Sequence, residues 1–211
     1  MTETFDPAPI TARRAHTRER LMVAARGVFA ERGIPGASVE EICEAAGFTR
    51  GAFYSNFSDK SALVLAMIEH SMATQYAAAE RAVATMKAAG ERSPDELVAI
   101  ALTAFEQSGA EAAEEALLAD RELLLHAARE PELRGPYLAF VDECFRQIGV
   151  LIGDAVAHAG LEFTVPADHA MHLLAATHDH LQVLALFDGE HVAGAEVFGS
   201  LVSAITRPVA R

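Results

Sequence analysis

The sequence predicts an all-α fold, with a three-helix N-terminal unit that contains a helix-turn-helix and a larger helical body after it. Apolar residues recur at three- and four-residue spacing along most of the chain, and no segment alternates with period two for long. Single glycines and prolines separate these stretches. The segment from Ser38 to Lys60, SVEEICEAAGFTRGAFYSNFSDK, reads as two short helices around a glycine turn, followed by the start of a third.

Residues 1–10 carry two prolines and no periodicity, so a mobile arm is expected, extending as a basic segment to residue 16. The helix-turn-helix unit is then placed at 17–62 and the body at 63–211. A first helix from about Thr17 to Arg32 aligns Leu21, Ala24, Ala25, Val28 and Phe29, and Gly33, Pro35 and Gly36 end it.

Ser38 can cap the second helix, with Glu41 three residues on closing a capping box, because each side chain can satisfy an otherwise orphaned backbone N–H. Val39, Ile42 and Ala46 form its apolar stripe. Gly47 supplies the positive φ at which a helix stops and turns. Thr49 can cap the third helix, on which Thr49, Ala52, Phe53 and Asn56 fall on one side and Arg50, Gly51, Tyr54 and Ser55 on the other. The second side offers a guanidinium, a phenol, a hydroxyl and a glycine that permits close approach, which suits a nucleic-acid groove.

Ser58 is the expected cap of a long fourth helix carrying Leu63, Met67 and Ile68, with no strong breaker before Gly90. Ser93-Pro94-Asp95-Glu96 marks another start, with Pro at the first helical position and a second capping box, and that helix should reach about Ser108. Further helices are expected at about 111–129, 136–159, 166–187 and 191–206, punctuated by Pro131, Pro136, Gly160, Pro166 and Gly189. Nine or ten helices result.

At 211 residues, 51% hydrophobic and with mean hydropathy +0.17, the chain has the composition of a folded globular protein. No apolar run has the roughly 18 residues of a membrane span, and the first ten residues lack the pattern of a signal peptide, so a cytoplasmic location is expected. Cys43 and Cys144 fall in separate parts of the chain and are expected to be free and buried.

The net charge of −13 argues against nucleic-acid binding until its distribution is examined. Residues 1–60 hold 8 Lys+Arg and 8 Asp+Glu, whereas residues 61–211 hold 9 and 22. Six arginines against two glutamates lie within 11–32, and such an end would orient an otherwise acidic molecule toward DNA.

AARGVFAERG followed by SVEEICEAAGFTRGAFYSNFSDKSAL resembles the N-terminal DNA-binding domain of the TetR family of bacterial transcriptional regulators, over about Thr17 to Leu63. The Ala-Gly turn, the Gly-x-Phe-Tyr run and the following Phe-x-x-Lys stand at the family's spacing. The resemblance implies a homodimer that binds a palindromic double-stranded operator and releases it when a small-molecule effector binds the body, with the fourth helix as the connecting lever. It also implies that Thr49, Arg50, Gly51, Tyr54 and Ser55 lie in or beside the major groove and that Lys60 meets a phosphate. Ser38 can donate to phosphate as well. An activator, or a DNA binder without an effector, is the alternative.

The last two helices present apolar faces, Leu174, Leu181 and Ala185 on one and Val197, Phe198 and Leu201 on the other, which can bury against a two-fold copy as a four-helix bundle. Phe105, His126, Phe140 and Phe145 are candidate lining residues for an apolar effector, although the same side chains would make an ordinary core. His169, His172, His178 and His180 share one helix, but no third ligand is fixed by their spacing, so no metal is expected. Paired Glu-x-x-His motifs, His-Glu-x-x-His, a P-loop and Gly-x-Gly-x-x-Gly are all absent from the sequence, and neither catalysis nor a cofactor is expected.

Overall fold

The computed structural model describes residues 12–109, 114–188 and 194–209. Nine helices and two short strands occur among them: α1 (Ala12–Gly36), α2 (Val39–Ala46), α3 (Arg50–Tyr54), α4 (Lys60–Ala88), α5 (Pro94–Gly109), α6 (Glu114–Arg129), α7 (Pro131–His158), β1 (Leu161–Phe163), α8 (Ala167–Asp188), α9 (Gly194–Ile205) and β2 (Thr206–Pro208). No helix among the described residues is long and apolar enough to cross a membrane.

The first helix starts earlier than expected. Residues 12–16, assigned from the sequence to the arm, are helical, and since all five are exposed they carry no apolar stripe that could have announced it. Residues 1–11 lie outside the described residues. The helix breaks at Gly33, whose φ of 68° and ψ of 160° suit glycine alone, and one further turn containing Pro35 follows.

The local signals around the helix-turn-helix are realised. Ser38 accepts from the Glu41 backbone N–H, while the Glu41 carboxylate accepts from the Ser38 N–H at 2.8 Å. Gly47 ends α2 in the left-handed region at φ 70°, and Thr49 caps α3 by accepting from the Ala52 N–H. At α4 the cap is Asp59, which accepts from the Ala62 N–H at 2.8 Å; the expected cap, Ser58, donates to the Asp59 carboxylate instead.

Pro131 opens α7, and Pro136, read as punctuation, lies inside it. Its ring is exposed, so the carbonyl left without an intrahelical donor can turn to water. The strands were not foreseen. β1 and β2 pair antiparallel with Leu161 opposite Pro208, a pairing of three residues each that is too short to carry an alternating pattern.

Three apolar clusters hold the molecule together. The largest joins Leu21, Phe29, Ile42, Phe53 and Leu63 of the first four helices to Leu123 and Ala127 of α6 and Leu133 of α7. The second lies between α4, α5 and the end of α7, and the third gathers Ala170, Met171, Leu174 and Ile205 with Phe145, Phe198 and Leu201 around them. Both cysteines are free and buried.

That third cluster corrects the expected outward faces of α8 and α9. Leu174, Phe198 and Leu201 pack inward within one protomer, and Leu181 is half-buried. Val197 does lie exposed, together with Leu173 and Phe187, which is 80% exposed. The side chain of Ala185 lies outside the described residues.

Candidate nucleic-acid interface

The third helix stands on Phe53, which is fully buried, and turns the opposite side to solvent. Arg50, Gly51, Tyr54 and Ser55 are all exposed and adjacent, as their spacing requires. A Cβ built on Gly51 would meet nothing of its own chain nearer than Thr49 Oγ1 at 3.7 Å, so the glycine leaves room for another molecule. Tyr54 sits edge-on to Phe53 with ring centroids 5.3 Å apart, which holds its phenol outward.

Charge on this face is already organised. Arg50 Nη1 lies 2.6 Å from Glu40 Oε1 on α2, and the Tyr54 hydroxyl and then the Glu40 carboxylate hold its guanidinium above its ordinary pKa. Glu40 was not singled out from the sequence, where it reads only as a favourable acid in a first helical turn.

Several arginines of the basic 11–32 stretch have structural work. Arg18 donates to the Asn56 carbonyl at 2.7 Å with its guanidinium 4.3 Å from the centre of the Phe57 ring. Arg20 donates to the Ala46 carbonyl at 2.8 Å, closing the end of α2, and lies over Phe48. Arg32 pairs with Glu41. Arg13 is exposed on the first turn of α1.

Ser38 and Lys60 are likewise engaged. The Ser38 hydroxyl donates to Glu41 Oε2 at 2.8 Å. Lys60 Nζ donates to the carbonyls of Ile34 at 2.6 Å and Ala37 at 2.9 Å, and so ties the start of α4 to the turn after Gly33. On the other side of that turn Glu122 of α6 accepts from the Ile34 N–H at 3.4 Å. The turn leading into the helix-turn-helix is therefore held by α4 and α6 together.

Residues 21–67 match the family model of bacterial regulatory proteins of the tetR family. The transcriptional repressor BepR of Brucella suis is 49% identical over 49 residues, 23% of this chain and 23% of that repressor. Residues 21–67 are a TetR-family DNA-binding domain. The matched segment spans about a quarter of the curated relatives' length, so their similarity concerns this domain. The fold of the whole chain is also that of TetR-family structures. GusR of Salmonella enterica superposes with a TM-score of 0.71 at 20% identity, covering 93% of this chain and 99% of that one. FadR of Bacillus subtilis, determined in complex with stearoyl-CoA, gives 0.65 at 16% identity over 88% of this chain and 95% of that one.

The helical body holds a half-open cavity of about 610 Å³ between α4, α5, α6, α7, α8 and α9. Phe105 and Phe145 line it, as expected. His126 and Phe140 do not border it: Phe140 packs against the cluster beneath the helix-turn-helix, and burial holds the His126 imidazole below its ordinary pKa at the α6 end nearest Lys60. Helix faces are ambiguous over so few residues, and these two point toward the N-terminal domain rather than the cavity.

The four histidines of α8 do not converge. His178 lines the chamber, contacts the rings of Phe105 and Phe198, and shares a hydrogen bond of 2.9 Å with Gln182, while His169 and His180 are exposed. Burial holds the His178 imidazole below its ordinary pKa. No group of three or more metal-ligating side chains occurs among the described residues.

Proposed function

We propose that this TetR-family protein is a homodimeric transcriptional repressor that reads a palindromic operator through α3 and is released from it by a small, largely apolar effector bound in the chamber. The observation that carries the reading is the outward face of Arg50, Gly51, Tyr54 and Ser55 on a fully buried Phe53 support, within the segment that matches the family. Helices of this type place such a face in the major groove, and an arginine there can donate twice to a guanine edge.

Lys60 keeps a role at the DNA. An ammonium has three donors and two serve the turn, so the third is available in number for a phosphate beside the start of α4. Ser38 and Thr49 flank the same surface.

Two copies supply the two half-sites. Leu173 and Phe187 are exposed on α8 fourteen residues apart, four turns along one side, and exposed Val197 lies on α9. Packing these residues against their two-fold mates would cover apolar surface that a lone protomer leaves in water.

The chamber supports an effector by its size and by the elements that build it. Ile68, Ser71 and Met72 of α4 and Leu123 and Leu124 of α6 line it, and the same helices hold the turn before the helix-turn-helix. A molecule that favours a different spacing of α4 and α6 would shift the population toward a poorly spaced pair of recognition helices. The solved FadR complex with stearoyl-CoA supports an apolar chain as a suitable class of occupant for this fold.

An electrophoretic shift on the DNA upstream of the protein's own coding sequence tests the reading. A salt-sensitive shift at nanomolar protein, competed by that DNA and not by unrelated sequence, is the expected result. Equal competition by both DNAs would remove operator recognition.

A further inference from the structure

The chamber is polar at one end and apolar at the other. Its walls follow α4 from Ile68 to Met86, a length of about 27 Å at the helical rise per residue. At the far end Val83, Met86, Val98, Ile152, Ala155 and Leu161 leave no hydrogen-bonding side chain. The polar side chains of the lining are Ser71 and Gln75 of α4, Asp120 and Arg121 of α6, Tyr137 of α7, and His172, His178, Asp179 and Gln182 of α8.

The charges of the lining are unequal in their commitments. Arg121, the cation of the lining, pairs with the Asp179 carboxylate through Nη1 and donates to the Asp179 carbonyl through Nη2 at 3.3 Å. Asp120 has one oxygen, Oδ2, accepting from the Ser71 hydroxyl at 3.1 Å, while Oδ1 is buried with no hydrogen-bond partner. Burial pushes the Asp120 carboxyl above its ordinary value, against the fields of Arg26 from α1, the Ser71 hydrogen bond and the fields of Arg121 and His70, and no ion pair forms with it among the described residues. A buried carboxylate with no ion-pair partner is costly, and a cation seated beside this lining residue would offset that cost through its charge.

We infer that the effector is a single-chain amphiphile whose head is a hydrogen-bond-donating cation of the alkylammonium class, seated at Asp120 with its chain running along α4 toward Leu161. This deepens the reading of the chamber as the effector site and rests on it. A fatty acid of the same shape is disfavoured, because its carboxylate would face Asp120 and Asp179 while the one lining arginine is already engaged.

The test uses the full-length protein and three probes of equal chain length below their micellar concentrations, decylammonium, decanol and decanoate, with calorimetric titration as the readout. Decylammonium is expected to bind with one site per protomer and about tenfold or more tighter than either of the others. In Asp120→Asn that preference should fall to near unity while decanol affinity is unchanged. The acidic surface also attracts ammonium, but that attraction would persist in the variant, which changes one charge out of a net −13. Tighter binding of decanoate, equal binding of all three, binding of none, or an ammonium preference that survives Asp120→Asn each overturns the inference; if that variant folds poorly, the wild-type titration repeated at high salt replaces it, since attraction by the exposed acidic surface is screened away while a preference seated in the cavity persists. An operator shift measured in parallel separates the two levels. Equal binding of the probes with release of DNA removes the head-group assignment alone, whereas absence of any operator shift removes the regulator.

Discussion

Replacing Lys60 by Met keeps the aliphatic stem and deletes the ammonium, which separates the two roles assigned to this residue. Two charge-assisted hydrogen bonds, at 2.6 and 2.9 Å to the carbonyls of Ile34 and Ala37, disappear. Each would be worth about 1.5–3 kcal/mol in full. The site is half-buried, so both carbonyls recover part of that from water, and a net loss of about 2 kcal/mol is expected. For a chain of this size that corresponds to a fall in melting temperature of roughly 4–8 °C. Thermal denaturation should be compared at one protein concentration, because a dimer's stability depends on it. Operator affinity measured from low to moderate salt then reports the third donor: loss of one phosphate contact from each protomer of the dimer makes the slope of log K against log salt shallower by about 1.8. A melting temperature within about 1 °C of wild type would refute the clamp on the 33–37 turn. A lowered melting temperature with an unchanged slope would leave the clamp and remove the phosphate contact.

Arg50→Ala should relax discrimination at one operator base pair by about 1–3 kcal/mol, read as the spread of affinities over a panel of substituted operators, and an unchanged spread would take base reading away from Arg50. Val197→Glu paired with Leu173→Glu would put carboxylates into the proposed two-fold contact, so sedimentation should shift from dimer to monomer at micromolar concentration; a dimer that persists moves the interface elsewhere. His178, held neutral by burial, should couple stability to acid. The unfolded imidazole binds its proton as pH falls through about 6.5 and the folded one only below that, so stability is full above that value and declines beneath it. Replacing His178 by Asn should flatten that part of the melting-temperature profile, and an identical profile would place the acid sensitivity on another group.

What the sequence made legible was what depends on neighbours in the chain. The Ser38–Glu41 box, the turn at Gly47, the Thr49 cap and the outward set from Arg50 to Ser55 each follow from residues within four positions of one another. Competing local choices were less readable: Ser58 and Asp59 can both cap a helix, and only the backbone at residue 59, extended with φ −161°, decides for the aspartate. The start of α1 was hidden because its first turn is exposed and carries no apolar stripe. Faces of α8 and α9 were assigned correctly as apolar but not as inward or outward, since Leu174 and Phe198 take their direction from Phe145 on another helix. The same limit separated Phe105 and Phe145, which reach the chamber, from His126 and Phe140, which do not. Asp120 and Glu122 carried no motif at all. Their importance lies in Ser71 and Ile34, 49 and 88 positions away in sequence.

The cluster that joins Phe29, Phe53 and Leu63 to Leu123, Ala127 and Leu133 bears on how such a protein can be taken apart. A cut near residue 62, where the sequence places the domain boundary, passes through a shared interior rather than between two. Exchange of recognition helices between relatives would then succeed only if the receiving α6 and the start of α7 offer the same apolar surface, or travel with the graft. The transplantable module is thus discontinuous: residues 12–67 together with the stretch from Leu123 to Leu133.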